Sequence, residues 1–162
     1  MRQLILLRHA KAVSPDRADD DFERELSPRG REDALLVAAA LAAEGASPDI
    51  VLVSDAKRTR ETWELAQPSF PAARATLLHS LYLCTAETLL SEAENSAAES
   101  VMLVGHNPGM HELASRLAYR NTPLDTKLRA KFPTAAGAIF TRKDDASSWR
   151  LQTFVTPKTV SD

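Results

Sequence analysis

The sequence predicts one α/β domain over residues 1–162, a three-layer α/β/α arrangement around a mainly parallel central sheet. Three observations lead there. The aliphatic runs Leu4–Leu7, Ile50–Val53 and Val101–Val104 are continuous rather than alternating, as in strands covered on both faces. Segments with helical start and stop signals separate them, which is the order of a parallel sheet flanked by helices. A length of 162 residues suits one ordinary domain with a substantial core, and no repeat or low-complexity linker divides it.

Taken in order, Leu4–Leu7 is the first strand, followed by a polar loop. A helix is expected from Pro28 to Glu44, because Ser27 is a capping residue, Pro28 fits the first helical position and Gly45 suits the stop. Its alanine-rich stretch, Ala38–Ala43, is expected to pack closely on the sheet. Ile50–Val53 is the second strand, with a helix over Ala56–Gln67 that Pro68 ends. A short strand at Thr76–Leu78 and a helix over Ala86–Glu94 precede Val101–Val104, after which Asn107-Pro108 opens a helix to Ala118. Tyr119–Thr134 has no clean period and is expected to be a long loop near the site. Ala138–Arg142 and Trp149–Val155 read as a hairpin turning through Lys143-Asp144-Asp145.

Composition narrows the function classes. With 44% hydrophobic and 26% charged residues this is the make-up of a globular protein. A net charge of −2 gives no long-range attraction to nucleic acid or acidic membranes, so neither is an expected partner and anion recognition must be local. The single cysteine, Cys84, excludes an internal disulfide and is expected to be a packing residue. No ligand spacing implies a metal, and none is expected. No apolar run approaches membrane-spanning length, and the first is cut short by Arg8, His9 and Lys11, so a cytoplasmic location is expected.

The chemistry concentrates after three strands. Arg8-His9-Ala10-Lys11 follows the first, Ser54 to Thr62 follows the second, and Gly105-His106-Asn107-Pro108-Gly109 follows the third clear run. Carboxyl ends of parallel strands share one edge of a sheet, where ligands of open α/β folds bind. Arginine forks match phosphoryl oxygens bidentately, and a helix start adds donors at a positive dipole end. Neutral imidazole is available as a nucleophile near pH 7, and a second histidine can donate to a phosphoryl oxygen. The set points to phosphoryl transfer.

Leu7-Arg8-His9-Ala10, Ser54…Arg58…Thr62 and Gly105-His106-Asn107-Pro108-Gly109 together resemble the histidine phosphatase superfamily, the phosphoglycerate-mutase-like group. The short chain, the Arg8-His9-Ala10-Lys11 variant and Arg24-Glu25-Leu26-Ser27-Pro28-Arg29-Gly30 are similar to its SixA-type phosphohistidine phosphatase branch. The resemblance spans residues 4–118. It implies a phosphoglycerate-mutase-like fold, His9 as a nucleophile that is transiently phosphorylated, Arg8 and Arg58 as phosphate-binding arginines, His106 as the second core histidine, and no metal or cofactor. Lys11, Ser14 and Asn107 are placed by sequence proximity as substrate-binding residues, and Arg24 either approaches the phosphate or pairs with nearby acids.

Many superfamily members carry a glutamate general acid in an inserted segment for which so compact a chain has little room, and Glu87 is the candidate in the corresponding region. Absence of a strong acid favours an N–P substrate, because imidazole leaves readily once its other nitrogen takes a proton from solvent. The expected function is therefore a phosphatase acting on phosphohistidine of a protein, such as a phosphorelay histidine domain, and releasing phosphate. A small-molecule phosphomonoesterase or mutase acting on a phosphorylated metabolite, and a non-enzymatic phosphoprotein-binding module, stand beside it as alternatives. His79 and His111 are read as surface or packing residues. Asp16, Asp19, Asp20 and Asp21 read as a solvated loop, or as carboxylates that repel polyanionic substrates.

Overall fold

All of the strand elements join one six-stranded sheet in the order β3-β2-β4-β1-β5-β6. The computed structural model describes residues 1–162. Strands β1 (Gln3–Arg8), β2 (Ile50–Ser54), β3 (Arg74–Leu78) and β4 (Ser100–Gly105) run parallel, while β5 (Gly137–Thr141) runs antiparallel to β1 and to β6 (Arg150–Val155). The continuous aliphatic runs have the cause expected of them. Leu4 and Leu6 enter one core with Leu52 and Leu103, whereas Ile5 and Leu7 enter the other with Val51, Val53 and Val104. Each of Leu4–Leu7 is fully buried and contributes about 2 kcal/mol in area bookkeeping. Helices α1 (Pro28–Ala43) and α2 (Lys57–Ala66) cover one face. Helices α3 (Ala86–Asn95), α4 (Gly109–Leu117) and α5 (Pro123–Ala130) cover the other, and the short α6 (Pro157–Ser161) packs on α1. No helix is long and apolar enough to cross a membrane.

Two expectations need correction. Residues 119–134 are not one long loop, since Pro123–Ala130 forms α5. Its start is fully capped: the Thr122 hydroxyl accepts from the Asp125 amide, and the Asp125 carboxylate accepts from the Thr122 amide. The helix before residue 118 begins at Gly109 rather than at Asn107-Pro108. The Ser27-Pro28 start of α1 holds as expected, and it also has a second task. Ser27 N and Oγ both donate to the Lys11 carbonyl, at 2.8 and 3.1 Å. A Cβ on Gly30 would lie 2.0 Å from that same carbonyl oxygen, so only glycine lets α1 press against the loop that follows β1.

Candidate active site

Strands β1, β2 and β4 end side by side, and their terminal residues meet in a cleft of about 380 Å³. Arg8 pairs with Gly105 at the end of the β1–β4 ladder, and the next amide, His9 N, donates to the Gly105 carbonyl at 3.0 Å. On the other side Ala135 N donates to His9 O at 3.0 Å. The residue after it is tied to α2, because Ala10 N donates to Thr62 Oγ1 at 3.0 Å and that hydroxyl donates to Arg58 O at 2.7 Å. This explains the spacing of Arg58 and Thr62. One turn of α2 carries a cleft arginine and the hydroxyl that anchors the β1 loop.

The tautomer of His9 follows from its contacts. Its Nδ1 lies 2.8 Å from the Ala10 carbonyl, which can only accept, so Nδ1 carries the proton. The lone pair is then on Nε2, which accepts from Arg58 Nε at 3.4 Å. His106 stands 5.2 Å away, centroid to centroid, and its Nε2 is hydrogen-bonded to Ser54 Oγ at 2.7 Å. Burial lowers the His9 pKa to about 3; the Ala10 hydrogen bond is the next-largest influence and opposes it, while the neighbouring His106, Arg58 and Arg8 each add a smaller lowering effect. Burial, Arg58 and Arg8 likewise lower His106 to about 3, with Asp21 opposing. Both rings are neutral at pH 7. Burial and Arg58 also pull Arg8 below its ordinary value. A cleft whose cations depress one another is a place where an anion is favoured.

These shifts carry a stability consequence. Histidine in an unfolded chain titrates near 6.5, so between that pH and the folded value the unfolded state binds more protons. The stabilisation is complete above about 6.5 and is lost as pH falls toward the folded value, with a slope of at most ~1.4 kcal/mol per pH unit for each ring. Urea midpoints measured from pH 7 to 4.5 should therefore fall steeply, and less steeply in a His9→Gln/His106→Gln double variant. An unchanged slope would show that these rings are not held neutral.

Arg58 is buried, and each of its three nitrogens makes a hydrogen bond. Besides His9, it donates from Nη1 to Asp21 O at 2.7 Å and from Nη2 to Asp21 Oδ2 at 3.0 Å. Arg24 Nη1 and the Tyr82 hydroxyl donate to the same carboxylate, at 3.0 and 2.6 Å. Partial burial works to raise the Asp21 pKa, but hydrogen bonds from Tyr82, Arg24 and Arg58 outweigh it and hold the carboxyl well below its usual range. Arg8 Nη1 and Asn107 Nδ2 both donate to the Phe132 carbonyl, at 3.0 and 2.9 Å, leaving Arg8 Nε and Asn107 Oδ1 without protein partners.

Comparison with known proteins identifies the family. Residues 4–80 match the histidine phosphatase superfamily (branch 1). An uncharacterised protein of Mycobacterium tuberculosis is 33% identical over 139 residues, covering 82% of this chain and 85% of its own. The provisionally named phosphohistidine phosphatase SixA of Agrobacterium tumefaciens superposes with a TM-score of 0.84 at 33% identity, over 96% of this chain and 98% of its own. The chain belongs to the histidine phosphatase superfamily. It is of the SixA type, with a phosphoglycerate-mutase-like fold. An uncharacterised chloroplastic protein of Arabidopsis thaliana is 35% identical over 77% of this chain, which spans 63% of that relative's length. Superfamily membership supports phosphatase activity on a phosphorylated substrate.

Against that superfamily pattern, the fold brings together Arg8, His9, Arg58 and His106, with Lys11, Arg24 and Asn107 on the same cleft. Arg58, not Arg60, reaches it. Two candidates fall elsewhere. Ser14 is exposed ahead of the turn Pro15–Arg17 and does not line the cleft. Glu87 sits on the outer surface of α3, where its carboxylate pairs with Arg116 at 2.6 Å, and that hydrogen bond keeps it below its ordinary pKa. His79 is exposed beside Asp55, and His111 donates to the carbonyls of Arg129 and Leu128 at 2.9 and 3.2 Å, in line with surface and packing roles. No group of three or more His, Cys, Asp or Glu is placed to hold a metal ion. The residues that the sequence left unassigned are Asp21 and Tyr82. The acidic loop does not stand uniformly in solvent: Asp21 closes on Arg58, whereas Asp20 bonds its own turn through the Glu23 amide.

Proposed function

We propose that the protein hydrolyses phosphohistidine on a protein substrate through a phosphohistidine intermediate on His9. The observation that carries this reading is the lone pair of His9 Nε2, held in the cleft beside two arginines by a ring whose other nitrogen is committed to the Ala10 carbonyl. Nε2 attacks phosphorus in line as the bond from phosphorus to the substrate imidazole breaks, and that imidazole takes its proton from solvent. Arg8, Arg58 and His106 hold the equatorial oxygens, and Asn107 and Lys11 lie within the same wall. Water then attacks the phosphoryl group on His9, the N–P bond breaks, and inorganic phosphate leaves with Nε2 restored. No cofactor enters these steps.

The choice of an N–P bond rests on what lines the cleft. No carboxylate does, Asp21 is ionised by its donors, and Glu87 is paired on the surface. An alcohol leaving group would need a positioned acid, and imidazole does not. Glu87→Gln is expected to leave kcat/KM within about twofold, because its carboxylate neither faces the cleft nor carries a proton at pH 7. A loss of two orders of magnitude would identify it as the acid after all. The substrate assignment itself is tested by kcat/KM on a phosphohistidine protein and on a phosphate monoester, with His9→Ala as control. Preference for the N–P bond is expected. Preference for the monoester would move the substrate to phosphorylated metabolites while keeping the nucleophile.

A further inference from the structure

A second cavity, of about 360 Å³, adjoins the cleft. Its floor is formed by Phe154, Pro133 and Pro157, and three lysines stand at its rim: Lys127 on α5, Lys131 just after it, and Lys158 on α6. The carboxylate that also lines it, Asp33, is paired with Arg29 at 2.9 Å. Thr134 belongs to both cavities, and Lys11 stands in the cleft. Four of the chain's six lysines thus border one continuous surface of a protein whose net charge is −2. Only Lys57, outside this surface, has a carboxylate partner, Glu25 at 3.5 Å. Single unpaired lysines on a surface are ordinary, but three around an apolar floor beside an active site form a charged and shaped feature.

We propose that this lysine-rimmed cavity docks an acidic segment of the phosphorylated protein substrate. An apolar side chain of that segment lies on the Phe154 and proline floor, and flanking carboxylates meet Lys127, Lys131 and Lys158. The inference rests on the protein-substrate reading above. A second phosphate of a small molecule would satisfy the lysines but leave the apolar floor uncovered, whereas an acidic peptide with one apolar residue satisfies both. Lys131, Pro133 and Thr134 line the second cavity, and Thr134 lines the cleft as well, within the stretch from Lys131 to Ala135. Within it the Phe132 carbonyl accepts from Arg8 and Asn107, and the Ala135 amide donates to the His9 carbonyl. An occupant of the second cavity therefore bears on the segment that positions the catalytic groups.

The test uses two synthetic phosphohistidine peptides, identical except that one has a leucine flanked by glutamates and the other has glutamines in their place. Wild-type protein is expected to hydrolyse the acidic peptide with kcat/KM about tenfold higher, mainly through KM, and added salt should erode the difference. Lys127→Ala/Lys131→Ala/Lys158→Ala should abolish the preference and leave the glutamine peptide unaffected. Equal rates on the two peptides with wild-type protein, or a preference that survives the triple substitution, would overturn the proposal. Equal loss on both peptides would also overturn it, by making the lysines part of the phosphoryl site. Hydrolysis of neither peptide alongside turnover of a phosphate monoester would instead overturn the phosphohistidine reading, and this inference with it. If the triple variant lost affinity for a bisphosphorylated small molecule while keeping its peptide preference, the cavity would be a second phosphate site.

Discussion

His9→Ala should reduce kcat/KM on any phosphorylated substrate by about four orders of magnitude, the scale of removing a nucleophile that acts as a unit with its binding groups. The loss should appear in kcat. The wild-type protein, quenched during turnover, should carry phosphate in a form labile to acid and stable to base, as expected for N-linked phosphate, and the variant should carry none. The second histidine and the cations of the cleft are poor substitutes as nucleophiles. His106 has Nε2 bonded to Ser54 Oγ, and its Nδ1 is buried. The lysine and arginine side chains of the cleft serve as hydrogen-bond donors. The hydroxyl of Thr62 is buried between Ala10 and Arg58. Folding should survive, because the His9 backbone contacts to Gly105 and Ala135 do not depend on its ring. Residual turnover above about 1% of wild type, together with a phosphoenzyme in the variant, would place the intermediate on another residue.

The parts of this site legible in the sequence are those fixed by strand ends. A buried parallel strand has one end at which the chain leaves the core, and a residue there needs no long-range information to be placed at the sheet edge. Arg8, His9 and His106 are of this kind, and Arg58 follows because a helix must start close behind its strand. Glu87 illustrates the opposite case. Its helix lies in the expected region, but which way a helical carboxylate points depends on how α3 rolls against α4, and that is decided by packing of Leu89 and Ala93 into the core. Asp21 was hidden for a related reason. In an acidic loop every carboxylate looks alike, and only tertiary placement brings this one to Arg58 while leaving its neighbours in solvent. The helix α5 did carry a signal, since Thr122, Pro123 and Asp125 form a start sequence, but a stretch of eight residues with buried Asp125 and Leu128 shows too little periodicity to be read as a helix.

Arg58→Ala should lower kcat/KM by about 10²- to 10³-fold, and Arg58→Lys should recover little of it. The reason is directional. The guanidinium is buried and uses its three nitrogens on three targets: His9 Nε2, the Asp21 carbonyl and the Asp21 carboxylate. A lysine ammonium is one compact charge and cannot span that fork. The contact with Nε2 also has a catalytic meaning, because a donor 3.4 Å from the lone pair is in place to shift to a phosphoryl oxygen once phosphorus approaches the ring. Loss of Arg58 should therefore affect kcat as well as the affinity for inorganic phosphate. Asp21→Asn supplies the contrast. It keeps a side-chain oxygen for Arg58 while removing the charge, so product affinity should rise if the carboxylate competes with phosphate for the guanidinium. If Arg58→Lys were nearly as active as the wild-type protein, a point charge would suffice, and the Asp21-braced fork would be a structural feature rather than part of the chemistry.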